Sequence, residues 1–315
     1  MPDMQDQTLS CDGFRFLYRI LHGNDSDRIP VLFLGGAFQS MNSWKRIVPA
    51  FHPERTVLLV DLPGMGQADF LPESYGLEFF TGVVRTLLDE VGCPQVCVVS
   101  ASYGALIGYQ FAQLFPSRVS HLALAGIMWR VSRQQKADAL AHVEELDRLP
   151  PDDYATEVID RLLSPTSREH VQRSRVVERV LRTELKRIDE DGLRKYRANM
   201  LRLCTQPPLN VESPPVVRSL IFTGEHDHFT RPRFGRALAS RMDDAVFVEI
   251  EQADHLCHME RFETTTELVR RFFDNDRLDG IPGCGALDYY GSAGMGISDV
   301  DRDQNRVTIL QGQDS

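Results

Sequence analysis

The sequence predicts an α/β protein: a mostly parallel, doubly wound sheet that carries a helical insertion. Short, continuous apolar runs recur at residues 31–34, 57–60, 96–99 and 122–125, as in strands covered on both faces. Helical spacing fills residues 77–91 and 103–115, and strands alternating with helices imply parallel pairing. The alternation stops at Met128 and resumes at Val216, with strongly charged helical text between them.

Taken in order, residues 14–20 alternate apolar and polar as a half-buried antiparallel edge strand does, and end in the polar loop 23–27. The strands at 31–34 and 57–60 follow, each succeeded by a glycine-bearing loop; then come the helix at 77–91, the strand from Val96, the helix at 103–115 and the strand at 122–125. Residues 129–215 read as a cap of helices near strand ends, over a pocket. The sheet resumes with a strand at 216–222, a helix at 231–242, a strand at 245–250 and a final helix at 262–273. The sheet domain is thus 1–128 plus 216–273. Residues 274–315, rich in Gly and Asp with few core formers, are expected to be a mostly disordered tail. The 315 residues, 42% hydrophobic and 25% charged, suffice for one catalytic domain with an insertion.

A net charge of -10 argues against a nucleic-acid partner or an anionic membrane surface, both of which need concentrated positive charge. No basic segment followed by an apolar stretch opens the chain, and no run is long enough to span a bilayer, so no membrane association is expected. Cys11, Cys93, Cys97, Cys204, Cys257 and Cys284 are scattered, which suits reduced thiols and a cytoplasmic location. Cys93 and Cys97 lack a second ligand pair, so no metal is expected. Nor does any motif ask for a cofactor.

The chemistry centres on Ser100-Ala101-Ser102-Tyr103-Gly104, where a β-branched run breaks at small residues and continues as a helix. A strand, a sharp turn and a helix would hold Ser102 in a strained conformation that demands small residues two before and two after. Ser102 is the candidate nucleophile; the alternative is an ordinary strand-to-helix connection in which Ser100 or Ser102 only caps the helix. After the strand at 216–222 comes Gly224-Glu225-His226-Asp227, which offers Asp227 as an orienting acid, with Glu225 its rival. After the strand at 245–250 comes Asp254-His255, which offers His255 as the base in competition with His226, His228 and His258. A serine hydroxyl needs an imidazole to take its proton, and the imidazolium needs a carboxylate behind it. The oxyanion needs two N–H donors: that of Tyr103, and one from the loop Gly35-Gly36-Ala37-Phe38, where Ala37 is favoured. Asp61, in Asp61-Leu62-Pro63-Gly64-Met65-Gly66, reads as loop architecture.

These motifs, Gly35-Gly36-Ala37, Asp61-x-Pro-Gly-x-Gly66, Ser100-x-Ser102-x-Gly104, Gly224-x-x-Asp227 and His255, make residues 14–273 resemble the α/β-hydrolase superfamily. Gly35 replaces the His that many members carry, and Ser100 replaces the commoner first glycine of the turn. Serine at position 102 disfavours haloalkane dehalogenase and epoxide hydrolase chemistry, which the resemblance associates with Asp at that place. The wording Val99-Ser100-Ala101-Ser102-Tyr103-Gly104 is also similar to bacterial 3-hydroxyacyl transferases, which use acyl carrier protein or coenzyme A thioesters and carry Trp where this chain has Tyr103.

Arg175, Arg179, Arg182 and Lys186 share one helical face, while Val177, Leu181, Leu185 and Ile188 line another. The basic stripe would suit an acidic acyl carrier protein; a solvated face partly neutralised by Glu178 and Glu184 is the simpler account. The sequence thus predicts a serine-dependent acyl-transfer enzyme acting on a small-molecule ester or acyl thioester. Hydrolysis is the default, transfer to a hydroxyl acceptor the second reading, and a non-catalytic ligand-binding protein the third.

Overall fold

Continuous apolar runs make the centre of the sheet, and the chain order of these runs creates the site. The computed structural model describes residues 5–146 and 148–292. Among them nine strands form one sheet: β1 (Gln7–Cys11), β2 (Phe14–Leu21), β3 (Val31–Leu34), β4 (Val57–Asp61), β5 (Val96–Ala101), β6 (Val119–Ala125), β7 (Arg218–Gly224), β8 (Asp244–Ile250) and β9 (Cys284–Gly291). Their spatial order is β1-β2-β4-β3-β5-β6-β7-β8-β9. The strands from β3 to β8 pair in parallel, while β1, β2 and β9 are antiparallel to their neighbours. The chain runs from β3 outward to β4, then crosses back to β5 on the other side of β3. A crevice therefore opens between the carboxyl ends of β3 and β5, where doubly wound sheets place ligands.

Alternate residues of each strand feed two cores. Leu32, Leu58, Val98, Leu122 and Ile221 pack under α1 (Leu77–Glu90), α2 (Tyr103–Leu114) and, further along the sheet, α7 (Pro232–Ala239), which follows a tightly built turn. Phe33, Leu59, Val99, Ala123 and Phe222 face the opposite way, against Trp44, Phe51 and the apolar face of α9 (Phe262–Asp274), which follows the short α8 (Cys257–Glu260). Between β6 and β7 lie α3 (Arg133–Leu146), α4 (Pro151–Leu162), α5 (Ser174–Leu185) and α6 (Glu190–Thr205), which share a third core around Tyr154, Ile159, Val177, Leu185 and Tyr196.

Two sequence expectations need correction. Residues 14–20 are not an edge strand, because β1 pairs outside β2 through the turn Asp12-Gly13, both at positive φ (49 and 85) as a tight hairpin turn requires. The tail from 274 is ordered at its start: β9 adds to β8, with Leu287 and Tyr289 packed on one core and Tyr290 on the other. Its composition misled because Gly280 and Gly283 serve turns and Gly291 ends β9, all at positive φ, and Asp288 pairs with Arg236 at 2.7 Å. Residues 293–315 of the expected tail lie outside the described residues.

The cap is fixed to the sheet domain by α6. Lys195, Asn199 and Arg202, spaced by four and three, share one helical face. Lys195 donates to the Gly66 carbonyl at 3.1 Å and Asn199 to that of Gly64 at 2.9 Å. Arg202 is 1% exposed and donates to the carbonyls of Leu71, Pro72 and Tyr75 and to the side chains of Asn199 and Tyr103, with its guanidinium over the Phe80 ring. No carboxylate among these partners neutralises it; carbonyl dipoles and a ring face carry the charge. Arg202→Ala is expected to cost about 3 kcal/mol, because it empties a packed site and strands buried carbonyls. Thermal denaturation checks this, and a fall in Tm of less than about 2 °C would contradict the account.

Candidate active site

The turn that carries Ser102, the candidate nucleophile, is built by close approach. Ser102 joins β5 to α2 at φ 53 and ψ -117, a backbone that costs a non-glycine residue on the order of 1–3 kcal/mol. Its N–H donates to the Ala125 carbonyl at 2.8 Å and its own carbonyl accepts from Ala105 at 2.9 Å, so the neighbouring strand and the helix hold it there. Gly104 explains the small residue two positions on: a Cβ there would lie 2.5 Å from the Gly35 carbonyl oxygen and 2.6 Å from that of Leu34. Gly108, one turn later, meets Ser100 in the same way, at 2.5 Å from Oγ.

The turns after β7 and β8 bring the other two side chains to Ser102. His255 Nε2 lies 3.0 Å from Ser102 Oγ, and His255 Nδ1 lies 2.9 Å from Asp227 Oδ2. Asp227 and His255 are 3% and 4% exposed, so the bond between them is screened from water, while Ser102 is half-buried at the cavity. Asp227 also accepts from the backbone N–H groups of Phe229 (2.9 Å) and Thr230 (2.6 Å) and from the Thr230 hydroxyl (2.5 Å). Because the partner of Nδ1 is an acceptor carboxylate, the proton belongs on Nδ1 and Nε2 stands bare toward the serine. Burial alone would push the Asp227 carboxyl up; the charge and hydrogen bond of His255, with the Thr230 donors, pull it below its ordinary range. Burial likewise pushes His255 down, and the charge and hydrogen bond of Asp227 more than reverse that, leaving it above 6.5.

The rival residues do other things. Glu225 accepts from the Gln252 N–H at the surface, and His226 stands beside it. His228 is half-exposed, 4.0 Å from Asp254. Asp61 accepts from the N–H groups of Met41 (2.7 Å) and Gln67 (3.1 Å) and so ties two loops together. His258 is buried and neutral, held near 3 by burial and by the neighbouring His255.

Sequence reasoning missed two supporting residues, Thr230 and Gln39, and gave Gly36 only as part of a loop motif. Thr230 holds the acid, and the Asp-x-x-Thr spacing before the proline of α7 was its signal. Gln39 accepts from the Gly36 N–H at 2.7 Å through Oε1 and donates through Nε2 to His258 Nε2 at 2.7 Å. The loop bearing Ala37 is thereby tied to the segment bearing His255, a link between positions too distant in the chain to be read from spacing. Gly36 packs on Ser102 itself, where a Cβ would come within 3.3 Å of Ser102 Cβ.

Ser102, His255 and Ala37 open into a cavity of about 310 Å³ roofed by α5 through Val176, Val177, Val180, Leu181 and Leu185. That is at the small end of cavities that take organic ligands. The N–H of Tyr103, at the first position of α2, has no partner within the helix and is available beside Ser102. Of the basic stripe on α5, Arg182 pairs with Glu178 at 3.1 Å and donates to Thr156 at 2.8 Å, and Lys186 is also engaged; Arg175 and Arg179 are exposed. Among the described residues no group of three or more His, Cys, Asp or Glu side chains is placed to hold a metal ion, and no helix is long and apolar enough to cross a membrane.

A model of the Alpha/beta hydrolase family matches residues 31–270. An uncharacterized protein of Mycobacterium bovis is 25% identical over 179 residues, 54% of this chain and 51% of that protein. A haloalkane dehalogenase of Agrobacterium fabrum is 31% identical over 107 residues, 34% of each chain. The chain thus spans about half the length, or less, of these curated relatives. Among solved structures, MGS-M2, an alpha/beta hydrolase enzyme from a Medee basin deep-sea metagenome library, superposes with a TM-score of 0.77 at 23% identity, covering 87% of this chain and 99% of that one. At that identity the likeness speaks for the fold.

The Asp227–His255 pair sets a measurable proton affinity. His255 is expected to titrate above 6.5 in an NMR pH series, and Asp227→Asn to lower that midpoint by about one pH unit or more. The imidazolium's contribution to stability is complete below its unfolded value and fades as pH rises through the raised one. An unchanged midpoint in Asp227→Asn would show that the carboxylate is not what holds the proton.

Proposed function

The chain belongs to the alpha/beta hydrolase family, and from that premise we propose that it is a serine-dependent hydrolase of carboxylic esters or acyl thioesters. The observation that carries this reading is the unbroken hydrogen-bonded line from Asp227 through His255 to Ser102, at 2.9 and 3.0 Å. Ser102 Oγ attacks the acyl carbonyl while His255 Nε2 takes its proton, and Asp227 keeps the ring oriented and favours the imidazolium. The N–H groups of Ala37 and Tyr103 donate to the oxyanion. His255 then gives its proton to the departing alcohol or thiol, leaving an acyl-serine. Water, deprotonated by the same nitrogen, cleaves that ester and restores the hydroxyl. The acyl group rests on the apolar wall of α5.

Serine at position 102 favours acyl chemistry over carbon–halogen displacement. Alkylation of Oγ would leave an ether that water does not cleave, whereas an acyl-serine turns over. Transfer to a hydroxyl acceptor, with an acyl carrier protein on the basic stripe, has less support, because Arg182 is already bonded to Glu178 and Thr156.

A fluorophosphonate probe is expected to label the wild-type chain and not Ser102→Ala. That variant should lose at least about 10³-fold in kcat/KM on short aryl esters and acyl thioesters, and wild-type kcat/KM should fall on the acid side as His255 becomes charged. Labelling that persists in Ser102→Ala, or a saturable ligand without turnover in the wild type, overturns the proposal.

A further inference from the structure

A second cavity, of about 140 Å³, lies between the two segments that join the sheet domain to the cap. Residues 128–131 lead into the cap and residues 206–209 lead out of it; both line this space, together with Tyr103, the neighbour of the nucleophile. It shares no lining residue with the larger cavity. Its walls are apolar, from Leu77, Leu106, Trp129, Val131 and Leu209. Its charged lining is of one sign only: Arg130, Lys136 and Arg202, with no Asp or Glu.

Arg202 is fully engaged in holding the cap. Arg130, exposed, and Lys136, half-buried at the start of α3, have no ion-pair partner among the described residues. Elsewhere Arg173 is paired with Glu263, Arg182 with Glu178 and Arg236 with Asp288. Two unneutralised cations beside an apolar recess fit a ligand with an apolar body and a single negative charge. The volume sets its size, since a cavity of about 150 Å³ takes one benzene ring.

We propose that this cavity binds a small apolar carboxylate, one aromatic ring or a short branched chain in size, with its carboxylate between Arg130 and Lys136. The occupant would touch both connections of the cap at once and so hold them together. The site is independent of the chemistry at Ser102, and its test uses no turnover.

Trp129 lines the cavity, and the other tryptophan of the chain, Trp44, is in the core, so emission from Trp129 reports on occupancy. The full chain bearing Ser102→Ala is titrated with benzoate and, separately, with benzyl alcohol, its uncharged counterpart; calorimetry repeats both, and Trp129→Phe assigns the optical signal. Benzoate is expected to bind saturably and at least about tenfold more tightly than benzyl alcohol. The double variant Arg130→Gln/Lys136→Gln should weaken benzoate about tenfold and benzyl alcohol less than about twofold. A wild-type chain first blocked at Ser102 by a fluorophosphonate should bind benzoate as before. No binding below about 10 mM by either method, equal binding of acid and alcohol, or loss of binding once Ser102 is blocked would each overturn the site. Because Ser102→Ala and the blocked enzyme are both inactive, these results leave the proposed hydrolysis to be decided by its own assay.

Discussion

The arrangement depends on how closely α2 can approach β3. Without a side chain at Gly104, the start of the helix rests on the carbonyl oxygens of Leu34 and Gly35; any Cβ would sit inside their van der Waals radii. That contact sets the distance between the strand end that carries Ser102 and the loop that carries Gly36 and Ala37. It also explains why the strained backbone at Ser102 is affordable: β6 supplies an acceptor for its N–H, α2 a donor for its carbonyl, and β3 blocks relaxation toward an ordinary helix start. The crevice at the switch between β3 and β5 is thus a consequence of packing, and Ser102 is presented at its edge.

The same logic extends to the cap, which polar contacts fix at two places. At α6, Lys195, Asn199 and Arg202 bind carbonyls of the loops after β4. On the far side, Asp254 accepts from the Ser164 N–H of the cap and from the N–H of His255, so one buried carboxylate fixes both the cap and the base. Gln172 and Arg173 add bonds to Gln252 and Glu263. The helix between these anchors, α5, is held mainly by apolar packing and leaves Val176 and Val180 exposed, 48% and 38%. Few buried hydrogen bonds hold α5, so it can shift at low cost to fit whatever occupies the cavity beneath it.

What could be read in the sequence follows from how local each constraint is. Ser102, Asp227 and His255 were legible because each lies directly after an apolar run, and strand ends on one edge of a parallel sheet converge whatever lies between. Gly104 was legible as a small residue at a fixed offset. Thr230, Gln39 and His258 were not, because their roles come from contacts across the sheet edge: 219 residues separate Gln39 from His258. β1 and β9 were missed for another reason. Each is an edge strand, half-exposed and polar enough to read as loop or tail, and each is stabilised by pairing with a buried neighbour more than by its own apolar content. Asp12-Gly13 was nevertheless a hairpin signal on the page.

Burial at the base is offset by carboxylates: Asp227 bonds the ring and raises its proton affinity most, and the charge of Asp254, which accepts the His255 N–H, adds to it. Asp227 and Glu260 are both buried near His255, yet their surroundings drive them apart. Asp227 has Thr230, Phe229 and the imidazole as donors and stays ionised. Glu260 accepts only the Asp254 N–H, its second oxygen has no partner, and burial pushes it up to about 8, so near neutral pH it keeps its proton. His258, neutral on the other side, adds no positive charge that would lower the affinity of His255 for a proton. Had Glu260 been ionised as well, the added negative charge would raise the proton affinity of His255 further and leave more of it charged near neutrality, where a base must be empty to receive the serine proton. With Glu260 protonated, its charge does not add to those of Asp227 and Asp254, and in the proposed reaction Nε2 is left a usable acceptor for the serine proton.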